Sequence, residues 1–151
     1  MKVAIIGSGW FGCHIAKVLL KSNKRIHITI FEKNKDIFLG QSGFNSNRLH
    51  LGFHYPRANI TRNQCVDNFV KFRSEYPNSC EKIKTNLIGI HKESKVKADK
   101  YKKIMTSSGL KFKKYNTFLK FKNITEIIKC DEMLINFHKS IIFYKKIFIN
   151  K

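Results

Sequence analysis

The chain has 151 residues, 42% hydrophobic and 13% aromatic, which suits one ordinary domain with a usable core and argues against general disorder. Thirty Lys and Arg against ten Asp and Glu give a formal charge of +20, but twenty-five of the thirty are Lys and no nucleic-acid motif accompanies them. Since Arg is the usual bidentate reader of bases and phosphates, the excess reads as a solvated lysine-rich surface, with basic nucleic-acid binding kept as an alternative.

The first element is a short apolar strand, Val3 to Ile6, running straight into Gly7-Ser8-Gly9-Trp10-Phe11-Gly12. Gly7 permits a tight turn, Gly9 lets a pyrophosphate approach the backbone, and Gly12 lets the following helix pack closely on the strand. That helix, with Ile15, Ala16, Val18 and Leu19 on an expected apolar side, begins with N–H groups available to phosphate. A second strand, Ile26 to Phe31, ends at Glu32, twenty residues past Gly12, where a carboxylate accepts hydrogen bonds from a ribose diol. Strand, glycines, helix, strand and acid together predict a βαβ dinucleotide-binding unit. The bland alternative is a glycine-rich turn in an ordinary α/β domain.

Lys2 before the apolar run imitates a secretory signal, yet three glycines, His14 and Lys17 interrupt that run, and no later segment has membrane-spanning length. Cys13, Cys65, Cys80 and Cys130 form no C-x-x-C pair, so neither a zinc site nor a redox dithiol is expected. The expectation is a cytoplasmic protein with buried or free thiols and no metal.

After Glu32 a simple nicotinamide-binding domain would soon place another helix and strand. Instead a long segment, Gly40 to Arg57, carries Gly, Ser, Asn and aromatic residues. Loops of this length inside domains are functional or disordered, and the aromatics argue for order.

At this segment a family becomes visible. Gly7 to Gly12, Phe31-Glu32-Lys33 and the run Ser42-Gly43-Phe44-Asn45-Ser46-Asn47-Arg48-Leu49-His50-Leu51-Gly52 together resemble FAD-dependent oxidoreductases of the D-amino-acid oxidase superfamily, which includes glycine oxidase and L-2-hydroxyglutarate-oxidising enzymes. The resemblance implies FAD as cofactor and an α/β fold: a Rossmann-like βαβ FAD-binding unit followed by the start of an α+β substrate domain. It implies that Gly7, Gly9 and Gly12 face the pyrophosphate and Glu32 the adenosine ribose, while Gly40, Ser42, Asn47, Leu49 and His50 line the path to the flavin ring. Trp10, Phe11, Lys33, Gln41 and Arg48 are the further cofactor-binding candidates that the resemblance implies. Some relatives attach flavin covalently through a histidine in this region, so His50 is a candidate; the other reading is a packing or hydrogen-bonding histidine. His54, Tyr55 and Arg57 follow; Arg57 would hold a substrate carboxylate or serve only as a loop or surface charge.

Further along, Val66, Phe69, Val70 and Phe72 fit an amphipathic helix over 58–76, which Pro77 ends. Asn78 or Ser79 begins a short second helix, Leu87 to Ile90 reads as a strand, and Ser94 caps a helix running towards Gly109 with Val96, Ile104 and Met105 inward. Strands are expected within Phe112 to Phe121, and a helix capped by Asn136 over Lys139 to Phe148. By the resemblance, residues 1–57 are the FAD-binding unit with its flavin-contacting loop, and residues 58–151 a partial substrate-domain segment returning towards the FAD domain. Family members continue well beyond this length, so the chain reads as a truncated N-terminal part whose missing half is an implied partner. The implied reaction is hydride transfer from an amino acid, amine or hydroxy acid to flavin, with little or no turnover by the short chain and no catalytic residue assignable. A nicotinamide-dependent or redox-neutral protein built on the same glycines is the other enzyme-class alternative.

Overall fold

Lys2–Ile6 (β1), Trp10–Ser22 (α1) and His27–Phe31 (β2) open the computed structural model, which describes residues 1–23 and 25–149. β1 and β2 pair in parallel, Lys2 opposite His27 through Ile6 opposite Phe31, so the connection through α1 is a βαβ unit. The chain is mixed α/β, with four helices and eight strands among the described residues. It divides into two compact units, residues 1–47 with 136–151, and residues 48–135.

In the first unit the inner residues of α1 are Cys13 and Ala16, both fully buried. Ile15 and Val18, expected on the apolar side, are instead exposed. The reason is the close packing that Gly12 permits: small residues, not branched ones, occupy the helix face against the strands. The core is completed by an aromatic group. Phe38, 1% exposed, lies 5.1 Å from Trp10, 5.7 Å from Tyr144 and 6.0 Å from Phe137 between ring centroids. Tyr144 and Phe137 come from Phe137–Ile149 (α4), whose start is capped as expected: Asn136 Oδ1 accepts from the Lys139 N–H at 3.0 Å. Lys145 on α4 also pairs with Asp36, and that hydrogen bond holds the Asp36 carboxyl below its ordinary pKa.

The second unit holds two antiparallel sheets. Arg48–Leu49 (β3), Met133–Ile135 (β8) and Cys80–Lys82 (β4) form one, in the order β3-β8-β4. Leu87–His91 (β5), Ile124–Cys130 (β7) and Phe112–Lys114 (β6) form the other, with β7 central and a register irregularity at Ile90/His91. Asn59–Glu75 (α2) ends before Pro77 as the sequence requires, with Phe69 buried; Val70, read as inward, is exposed. The turn after it is a single 3-10 turn from Pro77 to Ser79, starting at the proline whose fixed φ suits a first helical position.

Ala98–Ser107 (α3) is capped at Lys97 rather than Ser94, which lies earlier, its Oγ accepting from the Val96 N–H at 3.4 Å. Val96 and Met105 are inward as expected, joining Phe53, Ile90, Tyr101, Leu110, Ile128 and Cys130 in the main core. The expected strands within 112–121 shrink to β6, because Phe118, Leu119 and Phe121 are exposed and have no face to bury. Two polar side chains tie the 50s loop down: Tyr101 Oη donates to the Phe53 carbonyl at 2.8 Å, and buried Arg62 donates to the Tyr55 carbonyl and Asn59 as well as to Ser108. No helix among the described residues is long and apolar enough to cross a membrane.

Candidate functional site

The turn between β1 and α1 is built by glycine geometry. Gly7 sits at φ +92°, a left-handed conformation that L side chains rarely adopt. A Cβ on Gly12 would stand 2.0 Å from the Gly7 carbonyl oxygen, and one on Gly9 would stand 2.8 Å from Ser42 Oγ. The first intrahelical bond of α1 runs from the Cys13 N–H to the Gly9 carbonyl, so Trp10, Phe11 and Gly12 form the turn whose N–H groups precede it. Gly9, the cap residue, has no side chain to offer. Ser42 supplies the cap from 32 residues away, its Oγ accepting from the Trp10 N–H at 2.9 Å.

Glu32 closes the other side of this turn. Its Oε2 accepts from the Ser8 N–H at 2.9 Å and the Ser8 hydroxyl at 2.7 Å; its Oε1 accepts from the Asn34 N–H at 2.9 Å and the Asn34 amide at 2.8 Å. The Asn34 and Ser8 backbone N–H groups, then the Ser8 hydroxyl, stabilise the ionised form and bring its pKa down from 4.5 to about 2. A carboxylate held ionised in this way is a strong acceptor fixed at the end of β2. Beside it a cleft of about 370 Å³ is lined by Ser8, Glu32 and the apolar side chains of Ala16, Leu20, Ile28 and Phe148. Because the folded-state pKa lies below the unfolded one, the stability Glu32 contributes is complete above about pH 4.5 and is lost as pH falls towards about 2. Carbon-detected NMR titration should find this carboxyl changing near pH 2, and Ser8→Ala should move the midpoint back towards the ordinary value.

Buried Cys13 donates its thiol to the Ser8 carbonyl at 3.2 Å; burial, reinforced by the Glu32 charge, raises its pKa to about 12. It is a packing thiol beneath the turn, and all four cysteines are free.

The structure thus brings Gly7, Gly9, Trp10, Gly12, Glu32 and Ser42 together within the first unit. Phe11, 87% exposed, stands at the open end of α1. Lys33, Gly40 and Gln41 are exposed, and Gly40 has nothing within 4 Å of a would-be Cβ. The close approach in this segment belongs to Gly43, whose Cβ would meet the Phe38 carbonyl at 2.6 Å. Sequence reasoning missed Ser8 and Asn34 as the partners of Glu32, and Phe38, whose left-handed φ of +64° carries no signature in a phenylalanine.

Arg48, Leu49 and His50 lie in the second unit, while Asn47, at φ +48°, ends the first segment. Arg48 pairs with Asn86 and Leu49 is buried on β3. His50 Nδ1 lies 3.3 Å from Glu132 Oε2, and His54 Nε2 lies 3.8 Å from the same oxygen. Glu132 Oε1 accepts from the Leu51 N–H at 2.9 Å. Burial pushes the Glu132 carboxyl up, but the bonds from His50 and Leu51 and the two histidine charges outweigh it and leave the pKa lowered. Glu132 could not be found from local pattern, since 82 residues separate it from His50.

The family model described as FAD dependent oxidoreductase matches residues 2–107. The FAD-dependent monooxygenase FPY4 of Fusarium mangiferae is 40% identical over 111 residues, 73% of this chain and 30% of that protein. The FAD-dependent monooxygenase kojA of Aspergillus flavus is 47% identical over 77 residues, 51% of this chain and 18% of that protein. The mitochondrial L-2-hydroxyglutarate dehydrogenase of Caenorhabditis elegans is 32% identical over 65 residues, 43% of this chain and 15% of that protein. The chain therefore spans less than a third of the length of each of these relatives.

Proposed function

The chain belongs to the FAD-dependent oxidoreductase family, and from that we propose that it contributes the dinucleotide-holding part of a Rossmann-like flavin site. The observation that carries this reading is the glycine turn at Gly7, Gly9 and Gly12, which has no room for a Cβ at Gly12 and to which the ionised Glu32 is tied through Ser8. In this assignment the N–H groups of Phe11 and Gly12 bind the pyrophosphate with the partial positive charge of the helix end, while the Trp10 N–H stays with Ser42. Glu32 accepts from the ribose hydroxyls, Ser8 and Asn34 holding it ionised while they share its lone pairs. Ser42 keeps the start of α1 in place, and Asn47 to His50 continue towards the ring.

Residues 1–57 are then the FAD-binding unit with its flavin-contacting loop, and 58–151 part of a substrate-domain segment returning to the FAD domain. The bound flavin supplies a two-electron acceptor, and the protein's share is binding and orientation. The reaction proposed is hydride transfer from an amino acid, amine or hydroxy acid. A hydroxy acid draws support from the L-2-hydroxyglutarate named for the Caenorhabditis elegans relative.

The match spans less than a third of each relative's length, and by itself the 151-residue stretch is expected to bind FAD weakly and turn over little. The test is to purify it, record its visible spectrum and titrate it with FAD and NAD during thermal unfolding. Protection by FAD exceeding that by NAD supports the assignment; protection by NAD alone moves it to a nicotinamide enzyme. A stoichiometric flavin band near 450 nm (roughly where oxidised flavins absorb) in the purified chain would overturn the expectation of weak binding.

A further inference from the structure

His50 and His54 form an H-x3-H pair on one loop of the second unit, and Glu132 reaches the same point from just before β8. Their ligand atoms all lie within 4.8 Å of one another. We propose that His50, His54 and Glu132 bind a divalent transition-metal ion of the zinc class through two imidazole nitrogens and one carboxylate oxygen.

The separations carry the argument. Nitrogen and oxygen ligands bound to a tetrahedral ion at about 2.0–2.1 Å stand about 3.3 Å from one another. The His50 Nδ1–Glu132 Oε2 distance is 3.3 Å and the His54 Nε2–Glu132 Oε2 distance is 3.8 Å. Both exceed the usual N–H···O mode of about 2.9–3.0 Å, and the second is no hydrogen bond at all. One carboxylate oxygen therefore sits between two imidazoles, hydrogen-bonded to His50 and within ion-pair distance of His54, at separations close to those of ligands on a shared ion. Two histidines and a glutamate are also a donor set that zinc takes in sites with an open position.

The surroundings fit the same role. The Glu132 side chain is 1% exposed and that of His54 is 53% exposed, so the site has a fixed inner ligand and an open outer one. The Leu51 N–H takes the other Glu132 oxygen, which orients the carboxylate in the way that outer partners orient metal ligands. The two rings meet edge to face with centroids 4.7 Å apart, which sets both imidazoles beside the same carboxylate oxygen. The sequence concealed the set because the third ligand is 82 residues away from the first. The proposal does not depend on the flavin assignment, and it gives His50 to the metal, which leaves Asn47, Arg48 and Leu49 on the path to the ring.

The test uses the whole chain, freed of metal by chelation and titrated with cobalt(II), whose visible ligand-field bands report coordination. The expected result is one cobalt per chain, displaced by zinc, with no sulfur-to-metal charge-transfer band. His54→Ala, a change at an exposed side chain, should weaken binding about tenfold or more, and Glu132→Gln should do the same in protein whose circular dichroism is unchanged. His91→Ala should leave the affinity as it was. Absence of saturable binding, a sulfur charge-transfer band marking the cysteines as ligands, or equal affinity in His54→Ala would each overturn the proposal.

Discussion

Gly12→Ala should destabilise the first unit by about 3 kcal/mol and remove its capacity to bind a dinucleotide. The added methyl would stand 2.0 Å from the Gly7 carbonyl oxygen and 3.1 Å from the Gly7 carbonyl carbon, with Ile5 Cγ2 at 3.4 Å. The first two of these are backbone atoms, so no rotamer change clears the way; α1 must move off β1 or the Gly7 turn must open. Gly9→Ala is the instructive comparison. Its methyl meets a hydroxyl, Ser42 Oγ at 2.8 Å, and a side chain can rotate at the cost of the cap it gives Trp10. That variant should lose about 1 kcal/mol, the worth of an N-cap. Urea unfolding of the two variants beside the parent chain checks the ordering; equal losses would show that the helix–strand approach at Gly12 is not the tight point.

The second large effect is expected at Phe38, where alanine should cost about 3–5 kcal/mol. The ring is 1% exposed and is surrounded by Trp10, Phe137 and Tyr144, so its removal leaves a cavity bounded by three rings that cannot collapse together without moving α4. Phe38 also fixes the loop's path, since its N–H donates to the Ser8 carbonyl at 3.1 Å and Gly43 lies against its carbonyl. Loss of the ring should therefore loosen Ser42 from the start of α1 as well. Phe38→Leu, which keeps most of the volume, should recover at least half of the stability in the same urea experiment. Its left-handed backbone is a cost that the packed ring offsets, and that balance is why a bulky residue persists there.

These two positions show what the sequence could and could not reveal. Gly12 was legible because a glycine at that spacing has one physical purpose, close approach of helix to strand. The parallel β1–β2 pair, the end of α2 before Pro77, strand β5 and the Asn136 cap were legible for the same reason: each is a local rule acting on adjacent residues. Phe38 was not legible, since nothing about a phenylalanine announces a left-handed turn. Strands β3, β4 and β8, only two or three residues long, exist through pairing with distant partners and leave no alternation to read. β7, Ile-Thr-Glu-Ile-Ile-Lys-Cys, interrupts its own alternation with adjacent isoleucines. Ser94 resembles a helix cap, yet its Oγ serves Val96 and the cap position falls three residues later, at Lys97.

The same division runs through the candidate site. The glycines and Glu32 follow one another at fixed offsets and could be named in advance. Ser42 was named for its place in the loop, but its service as the remote cap of α1 emerges only when the chain folds back. The partners that hold Glu32 ionised, Ser8 and Asn34, are small polar residues of kinds found in any loop. Glu132 is the extreme case, a buried acid that meets His50 and His54 only through the pairing of β3 with β8.

The claim that Glu32 and the glycine turn hold the dinucleotide is tested most directly by FAD fluorescence titration of the parent chain beside Glu32→Gln. The account predicts weak but saturable binding by the parent and about tenfold weaker binding by the variant, the scale of a hydrogen bond to a charged acceptor. Equal affinity in the two folded proteins, or no saturable binding by the parent chain, would contradict it.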